Sequence, residues 1–146
     1  MNFIEIEYRA RYDSWGMSEL QSHDYYELYF LIEGSRSFFY GDKMFSITGP
    51  AFCIIPPFAM HKTAGGSYKR ININVSTDLL IQKELDLLGT LSESVAFSLD
   101  QEWVSLPLAL LNEAARISVV DTQRKHQLSI SYLYRIYSRH RIQIHQ

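Results

Sequence analysis

The stretch "SHDYYELYFLIEG", Ser22 to Gly34, sets His23 four residues ahead of Glu27 inside an aromatic and aliphatic run. On a strand successive side chains alternate, so Gln21, His23, Tyr25, Glu27 and Tyr29 share one face and Tyr26, Leu28, Phe30 and Ile32 the other. In a small barrel or sandwich, two faces of different polarity suit a core on one side and a ligand cavity on the other. His23 and Glu27 are therefore candidates for a metal centre, an acid–base pair or the lining of a sensing pocket.

The flanking sequence reads as more strands. "FIEIEYRARY" (3–12) alternates with period two, and the 25–34 run is rich in residues that suit a pleated surface and stops at a glycine. "RSFFY" and "MFSI" flank Gly41-Asp42, which supplies hairpin turn chemistry. "AFCII" is a buried strand halted by Pro56 and Pro57. "YKRININVS" (68–76) alternates again, with Ile71, Ile73 and Val75 opposite Arg70, Asn72 and Asn74. Short strands at this spacing predict a sandwich or barrel over residues 1–76.

After Ser76 the period becomes helical. "TDLLIQKELDLLG" opens on two N-cap residue types and predicts a helix ending at Gly89. "SLPLALLNEAARIS" has Ser105 as N-cap and Pro107 in the first turn. The segment from about 122 to 145 is expected to form a longer helix. Ile130, Leu133, Tyr137 and Ile144 lie near a heptad seam, and Leu128, Tyr132, Tyr134 and Ile136 widen the apolar surface beyond one stripe. Such a helix must bury two faces, one on its own domain and one on a partner.

With 146 residues the chain is about one domain long, and its formal net charge of −2 gives no electrostatic footprint for nucleic acid. One cysteine, Cys53 in an apolar run, excludes an internal disulfide and reads as a buried thiol. The N-terminus carries charges every second or third residue, unlike a signal peptide, and no apolar stretch is long enough to span a bilayer, so a cytoplasmic protein is expected. No nucleophile elbow or glycine-rich phosphate loop is present.

His23, Glu27 and Gly34, followed by "PPFAMH" ending in His61, resemble the paired motifs of the cupin superfamily. In metal-binding cupins the first motif holds two histidines and a glutamate, and the second adds a third histidine. His23, Glu27 and His61 match; Gln21 stands in place of the first histidine, Phe58 where the second motif usually has glycine, and Pro50 at another expected glycine. The whole run from His23 to Thr63, then "YKRININVS", then helices, is similar to the N-terminal effector-binding and dimerisation domain of AraC-type bacterial transcription regulators, most specifically over 22–76. That resemblance implies a cupin-like β-barrel followed by two or three helices, one of them a dimer helix. It also implies a small effector in the barrel, with a sugar as the expected class, and no catalysis. A DNA-binding domain would begin about where this chain ends, so contact with DNA is expected only through residues beyond 146.

Residue by residue, the alternatives stay open. His23 and His61 either line an effector pocket, hydrogen-bond to Glu27 or Arg70 and order the barrel mouth, or hold a metal with Glu27; the last is the enzyme alternative, a standalone isomerase or oxygenase. Gln21 counts against it, because an amide oxygen binds transition metals weakly. A buried Glu27 needs a partner, and Arg70 is the expected one, as a structural pair or as part of a ligand clamp. Tyr25, Tyr29, Tyr40 and Tyr68 offer hydroxyls and ring faces to a ligand, or are core. Asn72 and Asn74 mark either a polar interior or a solvent-facing edge. Expected ligand-binding residues are thus His23, Glu27, Tyr29, His61, Arg70 and Asn72, with no resident cofactor. Arg135, Arg139 and Arg141 are expected to flank a homodimer helix rather than to bind phosphates. A third possibility is a barrel packed shut that serves only to pair subunits.

Overall fold

The computed structural model describes residues 3–12, 15–16, 20–93 and 97–98, and in the C-terminal part 109, 123, 125–127, 129–131, 133–135 and 138. Strands β1 (Ile4–Arg11), β2 (Trp15–Gly16), β3 (Tyr25–Tyr40), β4 (Lys43–Thr48), β5 (Ala51–Ile55), β6 (His61–Ser76) and β7 (Phe97–Ser98) form one antiparallel sheet system. Its path runs β1-β6-β3-β5-β7, with β2 on β6 and β4 on β3. The expected strands are present, and Gly41 and Asp42 turn β3 into β4. Because β7 lies beyond residue 76, the sheet draws on sequence expected to be purely helical.

The register arranges residues in rows across β1, β6, β3 and β5. On one face Ile6, Ile73, Leu28 and Ile54 are successive neighbours, and beside them Tyr8, Ile71, Phe30 and Phe52. Helix α1 (Gln82–Glu93) packs there through Leu87, Leu88 and Leu91, joined by Leu80, Ile130 and Leu133 in the same apolar cluster. On the opposite, concave face the rows are Glu5, Asn74, Glu27 and Ile55; then Glu7, Asn72, Tyr29 and Cys53; then Arg9, Arg70, Leu31 and Ala51. That face grades from polar at β1 to apolar at β5, where Tyr29, Leu31, Phe38, Ile47, Ala51, Cys53, Ile55 and Tyr68 make a second cluster.

Two expectations are corrected. β3 does not stop at Gly34 but continues to Tyr40, because Gly34 sits at φ +100° and lets the strand pass through irregularities between Leu31 and Glu33 and between Gly34 and Arg36. A Cβ at Gly34 would lie 2.2 Å from the Ser67 carbonyl oxygen, so only glycine fits. The helix expected to start at Thr77 and end at Gly89 instead begins with a single 3₁₀ turn, Thr77–Leu79, and α1 runs through Gly89 to Glu93. Leu88 and Leu91 are fully buried, and that burial outweighs the cost of about 1 kcal/mol for a mid-helix glycine. Ile81 has no side-chain oxygen to cap α1; Glu84 reaches back and accepts the Ile81 N–H at 3.0 Å. Of the helix expected around 105–118 only Ala109 falls among the described residues, and it is helical.

Candidate functional site

His23, just before β3, and His61, the first residue of β6, meet Glu27 at one end of the concave face. The Nε2 atoms of His23 and His61 lie 3.8 and 3.9 Å from the two Glu27 carboxylate oxygens. The two rings are edge to face at 4.7 Å, and His23 stacks on Tyr25 at 4.4 Å. Backbone pairing holds the constellation: Gln21 and His61 exchange both main-chain hydrogen bonds at 2.9 Å, and the Phe58 N–H donates to the His23 carbonyl at 2.6 Å. The Gln21 side chain is exposed. Phe58 adopts φ +68°, the left-handed region that favours glycine, at the position where the sequence motif expects glycine.

The histidine–glutamate separations exceed a direct hydrogen bond. His61 Nδ1–H donates instead to the Ala59 carbonyl at 3.1 Å, and in the neutral ring this leaves the Nε2 lone pair facing Glu27. Burial lowers the His23 pKa from its ordinary 6.5, with neighbouring His61 adding to the effect and Glu27 and Asp24 opposing it. Neutral imidazoles and one carboxylate whose ligand atoms lie within 4.8 Å of one another are a chemically suitable donor set for a divalent transition metal. A tetrahedral ion with bonds of about 2 Å needs ligands about 3.3 Å apart, so the three side chains would have to draw in.

Arg70 does not pair with Glu27. Its Nη2 donates to Glu7 Oε1 at 3.0 Å, and Arg9 approaches the same oxygen at 3.2 Å. Register explains the change of partner: Glu27 shares a row with Asn74, two rows from Arg70, whereas Glu7 lies one row away on the adjacent strand. Asn72 Nδ2 donates to Asn74 Oδ1 at 3.3 Å, placing both amides on the concave face. Tyr29 is 4% exposed, meets Phe38 edge to face, and has the Arg70 guanidinium 5.9 Å from its ring centre. Burial raises its pKa strongly.

Of the other tyrosines, Tyr25 belongs to the histidine end, Tyr40 packs against the apolar end, and Tyr68 lies under the Arg36 guanidinium at 4.3 Å. Cys53 is buried among apolar groups and its thiol pKa is pushed up by desolvation, as an inert core thiol requires. Sequence reasoning missed Arg36, Glu7 and Arg9. Arg36 is 1% exposed on the concave side and donates to Thr63 Oγ1 at 3.0 Å. Glu7 and Arg9 were legible in the alternation of β1 once its charged side is set against the polar side of β6. The expected dimer residues Ile130 and Leu133 are buried in the chain's own core, and Tyr137 lies outside the described residues.

A sheet with helices on its convex face and a concave face that grades from histidine, carboxylate, amide and guanidinium groups to apolar ones defines a ligand-binding domain of the cupin type. The chain belongs to the family of AraC-like ligand-binding domains, whose model matches residues 4–135. It is similar to a cupin superfamily protein from Desulfitobacterium hafniense, 18% identical over 50% of this chain and 67% of that one, with TM-score 0.47. A cupin-2 protein from Shewanella frigidimarina is also 18% identical, over 51% and 72% of the two chains, with TM-score 0.44. A mutant of Bacillus subtilis oxalate decarboxylase is 12% identical over 51% of this chain and 22% of its own, with TM-score 0.45. No curated protein matches the chain. No helix among the described residues is long and apolar enough to cross a membrane.

Proposed function

We propose that this domain is the sensor of an AraC-type transcription regulator and binds a small, hydroxyl-rich effector of the sugar class on the concave face of its barrel. The single observation that carries this reading is the polarity of that face: His23, Glu27, Tyr29, His61, Arg70 and Asn72 all lie on it, while the opposite face is closed by α1 and the C-terminal helical residues. An interior meant only for packing has no use for amides and a guanidinium. The effector acts by favouring one arrangement of the domain over another. Strands β3 and β6 carry the site on one side and the helix contacts on the other, so displacement of a row reaches Ile130 and Leu133 through packed side chains. We assign dimerisation to the C-terminal segment, Tyr137 included, and DNA binding to a domain outside this chain.

Calorimetric titration with a panel of sugars and sugar derivatives tests the reading. His61→Ala is expected to weaken the best binder about tenfold or more with the circular-dichroism spectrum unchanged. Loss of folding instead would make His61 a structural residue.

The second reading, a metal-dependent cupin enzyme, has one observation in its favour, the approach of His23, Glu27 and His61 to one another. A bound metal would supply Lewis-acid chemistry there, with the two Nε2 atoms and the carboxylate holding it. Elemental analysis of the purified chain decides: about one transition metal per chain together with turnover of a substrate would favour it over the sensor.

A further inference from the structure

Three buried polar atoms on neighbouring positions of the concave face have no hydrogen-bond partner: Tyr29 Oη, Arg70 Nη1 and Asn72 Oδ1. Tyr29 and Asn72 are direct cross-strand neighbours, and Arg70 lies two residues from Asn72 on the same side of β6. A buried polar atom left unsatisfied is destabilising, and three within one patch point to a ligand that completes them. Their types are specific. Arg70 Nη1 donates only, Asn72 Oδ1 accepts only, and the Tyr29 hydroxyl does either.

The charges in the patch name the missing chemistry. Arg9 and Arg70 share a single carboxylate oxygen of Glu7, and the Glu7 side chain is 54% exposed, so its charge is largely screened by water. The Arg70 side chain is only 13% exposed. The other carboxylates of that face, Glu5 and Glu27, lie two rows from Arg70, and Glu27 faces His23 and His61 at 3.8 and 3.9 Å. The ionised groups that act on the Tyr29 hydroxyl are both guanidiniums, Arg36 and Arg70. A guanidinium with a free edge in such surroundings matches a planar carboxylate better than a neutral hydroxyl.

Space restricts the position further. Toward β5 there is a cavity of only about 10 Å³, lined by Tyr40, Phe45, Cys53, Ile54, Ile55 and Ser92. Toward β1 a solvent-open recess of about 590 Å³ is lined by Arg9, Ala10, Arg11 and Tyr12, and Arg9 is the direct neighbour of Arg70.

Resting on the sensor reading above, we propose that the effector is a hydroxylated carboxylic acid, such as a sugar acid, whose carboxylate is held by Arg70 Nη1 and the Tyr29 hydroxyl while a neighbouring hydroxyl donates to Asn72 Oδ1. The histidine end then receives the rest of the molecule, and a neutral sugar of the same size offers Arg70 only an uncharged hydroxyl acceptor, a weaker partner than a carboxylate.

The test uses matched probes on the intact chain: galacturonate against its methyl ester and galactose, gluconate against glucitol, and 4-hydroxybenzoate against its methyl ester, each titrated by calorimetry. Every pair that binds is expected to favour the carboxylate at least tenfold. Arg70→Gln should abolish that preference, and Tyr29→Phe should weaken only the carboxylate member. Arg70→Lys keeps the charge and guards against a folding artefact; it should retain part of the preference. If neutral members bind as well as the acids and Arg70→Gln changes neither, the carboxylate assignment is overturned and the sensor reading stands. If no member of any pair binds, both fall.

Discussion

Phe58 and Gly34 show how much a single backbone dihedral decides. Phe58 holds φ +68° with its ring 74% exposed, so it bears left-handed strain of about 1–2 kcal/mol with little packing in return. Phe58→Gly removes that strain at an entropic cost of about 0.5–1 kcal/mol, and chemical denaturation should show stability unchanged or raised by about 0.5 kcal/mol. Gly34 is the reverse case: φ +100° and the approach of Ser67 leave no room for a methyl group, so Gly34→Ala is expected to lose about 2 kcal/mol or more in the same experiment. His23 carries a pH signature. Its folded pKa lies below 6.5, mainly through burial, so the unfolded chain takes up the proton first. Its contribution to stability is complete above pH 6.5 and is lost as pH falls from there to the lowered folded value. Urea unfolding at pH 7.5 and 5.5 in the presence of chelator should show a smaller loss on acidification for His23→Gln than for the parent chain; an equal loss would remove His23 from that role.

At the scale of elements, the alternation that made the site legible also set its limit. From Tyr25 to Leu31 the odd residues face the concave side, and period-two reading placed Tyr25, Glu27 and Tyr29 together correctly with His23 beside them, whereas Gln21, also expected there, precedes the strand and has an exposed side chain. The two irregularities around Glu33 and Gly34 then flip the parity, so that Arg36, Phe38 and Tyr40 carry the concave side onward. Nothing local to "EGSR" announces that flip, because a lone glycine reads equally well as a strand end. Arg36 was missed for this reason, and Arg70 was given the wrong carboxylate because pairing distance depends on register between β1 and β6, which alternation does not encode. The helix start was misread by the same kind of ambiguity: Thr77 and Asp78 are cap residue types, but they lie inside a 3₁₀ turn whose N-cap position is Ser76, and Glu84 caps α1 from inside.

For the whole molecule, the C-terminal helical residues join the sheet rather than standing apart from it. Leu133 is 1% exposed beside Leu88 and Leu91, and His126 Nε2 meets Glu84 Oε1 at 3.1 Å, tying that segment to α1. Leu133→Ala should therefore lower the stability of the folded chain by about 2–5 kcal/mol, whatever its association state. A change in mass by sedimentation without loss of stability would mean that Leu133 faces a second subunit instead. An effector bound on the concave face must perturb that face before any other. Amide nitrogen–proton correlation spectra of the chain, titrated with sugars and sugar acids, test it most directly. Shifts are expected to centre on Glu27, Tyr29, Asn72 and Asn74 and to spread through β3 and β6 toward the helix contacts; shifts confined to the convex face or to surface loops, or none across the panel, would rule out binding on the concave face.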